Sequence, residues 1–467
     1  IPDAYPSIQI QEFKDSILEN RKFFKCFIKD DYGFTKMNFN YSFINKETAE
    51  NLKEKIISLP IPVNKNTNLQ ELYYFFDMAE IQMQAGDEIE YYFEIWDNDG
   101  INGSKSTRSQ KMIFKAPTIE ELQEKSENAN KQIKTDITQI MLDARKLQQD
   151  IENFEKKLTE KRQISWQEQQ EMQNLIDAQK QLQLQFEQLQ LQNKQNNLLQ
   201  QQFNPVDEEI LRKQQELEKL FDDILTPEMK EIIKQMQDML EKANKDKMQE
   251  MLQNMKLTNE DINKELDRSL ELFKQLEFEK KMQETIDKLD KLAEKQKKLA
   301  EETEKENKTS EELKKEQDNL NNEFEKLQND IKDLEEKNKE LENPNKLENT
   351  IDEQQKIKNE MLNSSGSLSK GKNKQASQSQ KNAASKMEEL SEKFQNMQAA
   401  MEEEQLGEDV RSLRSILENL VRVSFQQEDL MQRFSTIKLN NPDYVKLGQE
   451  QKNLKTSLQM IEDSLFA

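Results

Sequence analysis

The residues best placed to do chemistry are Asp97-Asn98-Asp99-Gly100-Ile101-Asn102-Gly103. Closely spaced carboxylates and amides before glycine are how calcium loops gather oxygen ligands. A helix–loop–helix calcium site also needs an acid at its twelfth position, where this chain has Arg108. Asx residues between two strands equally build hairpin turns. Asp97 and Asp99 are therefore the metal candidates, and an Asx-rich turn is the favoured reading. Lys105-Ser106-Thr107-Arg108-Ser109 has the types to hold a phosphate or carboxylate, but no glycine-rich phosphate loop precedes it. A polar edge strand is the simpler reading.

Other chemistries are excluded by composition. The chain has no histidine, which removes serine–histidine and cysteine–histidine nucleophiles, H-E-x-x-H zinc sites and histidine general bases. Its one cysteine, Cys26, cannot form an intrachain disulfide. It sits in the run Phe23-Phe24-Lys25-Cys26-Phe27-Ile28, as a buried strand thiol would. The absence of a G-x-x-x-x-G-K-[ST] motif disfavours a motor or a chromosome-condensing ATPase. Among 91 acidic residues, pairs such as Asp222-Asp223 carry no catalytic weight. No catalytic residue and no cofactor is expected. A net charge of −22 argues against a nucleic-acid partner or an anionic membrane surface.

The elements that would position these residues fall into two regions. Residues 1–116 hold seven of eight tyrosines and half of the 22 phenylalanines. Strand-like runs recur at Ile8–Phe13, Lys22–Lys29, Phe34–Phe43, Glu71–Ile81, Glu88–Trp96 and Gln110–Lys115, with a short helical crossing over Ala49–Ser58. Such spacing predicts an antiparallel, immunoglobulin-like β-sandwich.

Residues 117–467 predict an extended helical coiled-coil rod or bundle, giving an α+β, mainly α fold class. Pro117-Thr118-Ile119-Glu120-Glu121 opens it with a capping box. Ser165-Trp166-Gln167-Glu168 opens a second helix, glutamine-rich but with a helical stripe at Leu182, Phe186 and Leu189. Asn204-Pro205, Thr226-Pro227, Thr258, Thr309 and Asn441-Pro442 mark further starts. So many capped breaks imply antiparallel hairpins. Leu313, Gln317, Leu320, Phe324, Leu327, Ile331, Leu334, Asn338 and Leu341 form a heptad seam. Its polar members Gln317 and Asn338 are expected to set register, so that a hydrophobic residue at 338 would raise stability and loosen pairing. The Ser/Gly/Asn/Lys-rich stretch 363–386 is expected to be a flexible loop, chiefly over 363–376.

Glu408–Phe434 differs from the other helical segments. It carries four of the ten arginines and a wide apolar face. A core helix of the bundle is the first reading and a protein-docking helix the second. Arg411, Arg414, Arg422, Phe425 and Arg433 are the interaction candidates.

Several motifs resemble a functionally uncharacterised family of large, membrane-anchored, coiled-coil-rich envelope proteins of Bacteroidota. They are Asp30-Asp31-Tyr32-Gly33-Phe34, the run from Gly86-Asp87 to Ser109, Pro117-Thr-Ile-Glu-Glu-Leu, Glu265-Leu-Asp-Arg-Ser-Leu-Glu-Leu-Phe-Lys and the Glu408–Met431 block. The resemblance implies a periplasmic location at the inner membrane, and no activity or catalytic residue. Any membrane contact would run through a segment missing from this chain, which opens on Ile1 and is expected to be a fragment. A non-enzymatic structural or protein-interaction protein is the expected function, with protein partners and a possible homo-oligomer. The alternatives are an accessory part of a larger enzyme or transport assembly, and a cytoplasmic coiled-coil filament.

Overall fold

The computed structural model describes residues 4–14, 20–45, 55–81, 83–99, 103–160, 165–203, 207–224, 234, 245–305, 308–436 and 443–466. Antiparallel β-sheets are followed by long helices, the α+β, mainly α class expected. Two compact units result, Ile1–Leu270 and Glu271–Ala467.

Among the described residues of the first unit eight strands form two sheets. They are β1 (Ser7–Lys14), β2 (Arg21–Lys29), β3 (Phe34–Asn45), β4 (Ile57–Ile61), β5 (Leu69–Asp77), β6 (Glu88–Asp97), β7 (Ser106–Arg108) and β8 (Met112–Lys115). One sheet runs β1-β2-β5; the other runs β4-β3-β6-β7, with β8 also on β6. Side chains of both antiparallel sheets share one core, as in a β-sandwich. Alternation directs the packing: Phe24, Cys26 and Ile28 point from β2 into the core, against Phe39 and Phe93 of the other sheet. The Phe39 ring lies 4.5 Å from Phe76 and 5.1 Å from Phe93. Burial pushes the Cys26 thiol up to about 12, an unreactive core sulfhydryl.

Sequence reading missed one strand, β4, while β7 is the polar edge strand expected over Lys105–Ser109. β4 contains Pro60, which a sheet tolerates because β4 is an edge. Its first two residues take the end of the predicted helical crossing into extended structure; residues 49–54 of that crossing lie outside the described residues. The predicted strand Glu71–Ile81 ends at Asp77 and turns into a short 3-10 helix over Met78–Ile81.

The helical part of this unit comprises α1 (Ile119–Glu160), α2 (Trp166–Phe203), α3 (Glu208–Ile224) and the start of α4 (Lys245–Lys305). The Thr118 capping box closes as predicted, with Thr118 N donating to Glu121 Oε2 at 2.9 Å and Glu121 N to Thr118 Oγ1 at 3.2 Å. Ser165 caps α2 in a related way, its N donating to Glu168 Oε2 at 2.7 Å while its hydroxyl accepts from Gln167 N at 3.2 Å. No helix begins at Thr258: α4 runs through it unbroken. Asn259 instead reaches sideways, donating from Nδ2 to the Ala144 carbonyl on α1 at 2.8 Å. The breaks expected at Asn204-Pro205, Thr226-Pro227 and Asn441-Pro442 fall at least partly outside the described residues.

In the second unit α4 from Glu271 onward, α5 (Ser310–Glu340), α6 (Ile351–Leu368) and α7 (Asn373–Thr436) pack antiparallel, up-down-up-down, around one core. Every residue of the predicted heptad seam is buried in it. Thr309 and Glu312 make the cap of α5. The direction of each pair follows from its bonds. Lys281 meets Asp330 at 2.7 Å while Lys295 meets Glu323 at 2.8 Å, so α4 and α5 run opposite ways.

Two expectations for this unit are overturned. The segment 363–376 is not a flexible loop: α6 continues to Leu368, a turn follows, and α7 begins at Asn373. Gly371 makes the reversal at φ 65°, where a side chain would be strained. The small residues are packing devices. Ser364 is wholly buried against Gln317, and the Ser377 hydroxyl donates to the Ala300 carbonyl at 3.0 Å. Asn338 is no helix-to-helix register marker either. Its Nδ2 donates to the Asn345 carbonyl at 2.8 Å, and its Oδ1 accepts from Asn345 N at 2.9 Å. It fastens the turn leaving α5.

Gln317 does join helices. Its Oε1 accepts from Gln296 on α4 at 2.8 Å, Gln380 on α7 at 3.0 Å and Ser364 on α6 at 3.1 Å. All four side chains are fully buried, so each helix contributes one residue to a polar layer inside an apolar core.

Candidate protein-docking site

The four-helix core of the second unit ends near Met397 and Met401, but α7 continues to Thr436. Beyond the core α8 (Asp443–Phe466) folds back along α7, and Glu404 pairs with Lys346 at 2.9 Å. Arg433 ties the hairpin together, donating from Nη1 to Glu450 Oε2 at 2.8 Å and from Nη2 to Glu450 Oε1 at 3.1 Å. Gln427 and Gln451 exchange two bonds at 3.0 and 3.1 Å, and the Phe434 and Tyr444 rings meet edge to face at 5.4 Å.

Contact with α8 uses one side of α7. Ile416 and Leu430 are buried there, at 8 % and 1 % exposure, facing a helix that buries Leu447 and Ile461. Leu406, Val410, Leu413, Leu417, Val421 and Phe425 form a second ridge that nothing among the described residues covers. Leu417 is 61 % exposed and Phe425 67 %. Isolated exposed leucines are ordinary, but a contiguous ridge marks an interaction surface. The core-helix reading of Glu408–Phe434 therefore fails on this side. The wide apolar face is real, and its own chain fills about half of it.

The predicted site residues divide accordingly. Arg414 and Phe425 border the open ridge. Arg414 pairs within its own helix with Glu418 at 3.3 Å, and Arg422 donates to Asn419 at 2.7 Å. Arg411 is exposed on the same flank. Arg433 is occupied inside the hairpin. Leu406, Val410 and Val421 were missed, although Val410 and Val421 lie within Glu408–Phe434, three before Leu413 and four after Leu417, and Leu406 stands just before that segment.

The loop after β6 is a fastened turn. Asp97, 1 % exposed, accepts at Oδ1 from Lys105 N at 2.8 Å, Asp99 N at 3.2 Å and Ser104 Oγ at 3.2 Å. Its Oδ2 is buried with no hydrogen-bond partner. Asp99 lies 4.0 Å from the Lys105 ammonium. Among the described residues no group of three or more acidic or cysteine side chains is placed to hold a metal ion. Lys105–Ser109 is largely the edge strand β7: Ser106 and Arg108 both bond Glu94, at 2.9 and 3.0 Å, and Ser109 Oγ accepts from Phe93 N at 2.9 Å.

A second apolar surface lies on the outer side of the β1-β2-β5 sheet. Phe13, Phe23 and Phe75 share one cross-strand row, with the Phe23 and Phe75 rings 4.9 Å apart. Lys25 is held there by Glu71 at 2.8 Å and lies over the Phe27 ring at 4.8 Å.

No protein-family profile, curated protein or solved structure matches the chain. Among the described residues no helix is long and apolar enough to cross a membrane.

Proposed function

We propose that this chain is a non-enzymatic structural and protein-interaction protein. In this reading the β-sandwich serves as a mount, the helices span distance, and the open ridge of α7 receives a helix from a protein partner. The observation that carries it is the row Leu406, Val410, Leu413, Leu417, Val421 and Phe425, exposed on a helix whose opposite flank is already paired. Their three- and four-residue spacing is the spacing by which one helix seats another. A location on the periplasmic side of the bacterial inner membrane belongs to the same proposal and rests on the shared sequence motifs.

A photo-crosslinking residue placed at Leu417, and separately at Ser415 on the opposite side of the helix, tests the docking reading in cells. A protein crosslink from position 417 and none from 415 is the expected result. Equal crosslinking from both positions, or none from 417, would overturn it.

A further inference from the structure

Independently of the ridge on α7, we infer that the outer margin of the β1-β2-β5 sheet, along β5, is a docking site for an extended peptide segment of another protein, which pairs with β5 as an added strand. The two sheets are offset. The Tyr74 ring on β5 lies 5.3 Å from Phe39 on β3, and the Phe76 ring lies 4.5 Å from Phe39 and 5.7 Å from Tyr41. β5 therefore stacks over β3. β4 lies one strand further out than β3, at the end of its sheet. Among the described residues no strand stands opposite β4 or pairs with the outer edge of β5. The place next to β5 is thus floored by one strand and flanked by the edge of another.

Burial follows the same outline. Phe24, Cys26 and Ile28 of β2 are at most 1 % exposed. The core-facing residues at this margin, Leu72 and Tyr74 of β5 with Ile57 and Leu59 of β4, pack on the core yet stay half-buried. On the outer face of β5, Tyr73 is 74 % exposed and Phe75 47 %. Both faces of an added strand would therefore meet apolar side chains. The backbone decides the class of occupant. Alternate residues of an edge strand turn both N–H and C=O away from the sheet. An extended peptide matches that row; a helix, whose backbone bonds are internal, does not.

The other sheet margins are guarded. β4 is five residues long and holds Pro60. β7 and β8 have three and four residues. β1 turns Glu12 inward, where its carboxylate pairs with Lys22 at 2.9 Å and accepts from the Tyr91 hydroxyl at 3.0 Å. Short strands, proline and inward charge are devices against strand addition. β5 has nine residues, no proline, no lysine and no charged residue on its core side. Its Glu71 and Asp77 lie on the outer face, paired with Lys25 and Arg21. The fitting segment is about six residues long and free of proline. It is apolar at the alternate positions that cover Leu72 and Tyr74, and β-branched or aromatic beside Tyr73 and Phe75.

A random-peptide phage library panned against the full chain is the test. Selected peptides should bind the wild-type chain and lose about tenfold or more in affinity for Tyr73→Lys. They should bind Phe13→Lys, changed at the opposite margin of the same face, as tightly as wild type. Both replaced side chains are exposed, so circular dichroism should be unchanged in either variant. N-methylating alternate amides of a selected peptide should abolish binding for one alternate set and spare it for the other, since only one set faces β5. No selected peptide, peptides indifferent to Tyr73→Lys, or equal effects of the two N-methylated sets overturns the proposal. Sedimentation equilibrium supplies the remaining outcome: a wild-type dimer that Tyr73→Lys returns to 55.4 kDa assigns this edge to a second copy and overturns the separate partner.

Discussion

Replacing Gln317 by leucine is the sharpest perturbation of the second unit. Leucine approximates the volume and suits the surrounding core, so a purely apolar view expects little change. The polar layer argues otherwise. Gln296 would lose both of its bonds to Gln317, and Gln380 the acceptor for its Nε2. Both side chains are fully buried. Ser364 can recover by bonding a carbonyl of its own helix. Two stranded amides at about 1–3 kcal/mol each, less about 1 kcal/mol gained from burying leucine, leave a net loss near 3 kcal/mol. Urea unfolding followed by circular dichroism measures it, reading the transition of the second unit. Replacing the whole layer, with Gln296→Leu, Gln317→Leu, Ser364→Ala and Gln380→Leu, should recover most of that loss, because nothing polar is then stranded. The reasoning is refuted if the single variant costs under about 0.5 kcal/mol, below the range for a stranded buried amide, or if the fourfold variant is less stable than the single one.

Asn338→Leu is expected to destabilise by about 1–3 kcal/mol, because the Asn345 backbone loses both partners at the turn; denaturant titration reads the sign. Asp97→Ala removes the acceptor of three bonds in the loop after β6 and should cost about 2 kcal/mol, seen as earlier melting of the sandwich. Asp330 is partly desolvated, which raises its pKa, but the Lys281 and Lys288 ammonium groups outweigh this and hold it below the usual carboxylate value. A depressed folded-state pKa contributes stability above the unfolded value, lost as pH falls through the folded one. Asp330→Asn should therefore lower stability at pH 7 and flatten its decline below about pH 4, measured by urea midpoints across pH.

How much was legible in the chain depended on the range of the interaction concerned. The Thr118, Ser165 and Thr309 caps were readable because both partners lie within four residues and their bond geometry is set by the helix itself. Thr258 looked the same, yet α4 passes through it unbroken. The Ser, Gly, Asn and Lys between 363 and 386 read as linker because composition cannot distinguish a residue left loose from one packed between helices. Gln317 and Asn338 occupy equivalent heptad positions. One faces three other helices and the other a turn at its own helix end, a difference fixed by where α5 stops within the bundle.

For the candidate site, the apolar width of Glu408–Phe434 was visible, and its occupancy was not. Periodicity reports which faces of a helix are apolar; it does not count the neighbours available to cover them. The sequence by itself determined the strand alternation, the helix caps, the buried seam and the lack of histidine chemistry, because each depends on residue type or on spacing within a few turns. Only the tertiary structure decided that the four-helix core ends near Met401 while α7 runs on, that α8 covers one stripe, and that Leu417 and Phe425 remain on the surface. Those facts depend on where separate helices end relative to one another, and hydrophobic burial is non-directional until the chain has been folded into three dimensions.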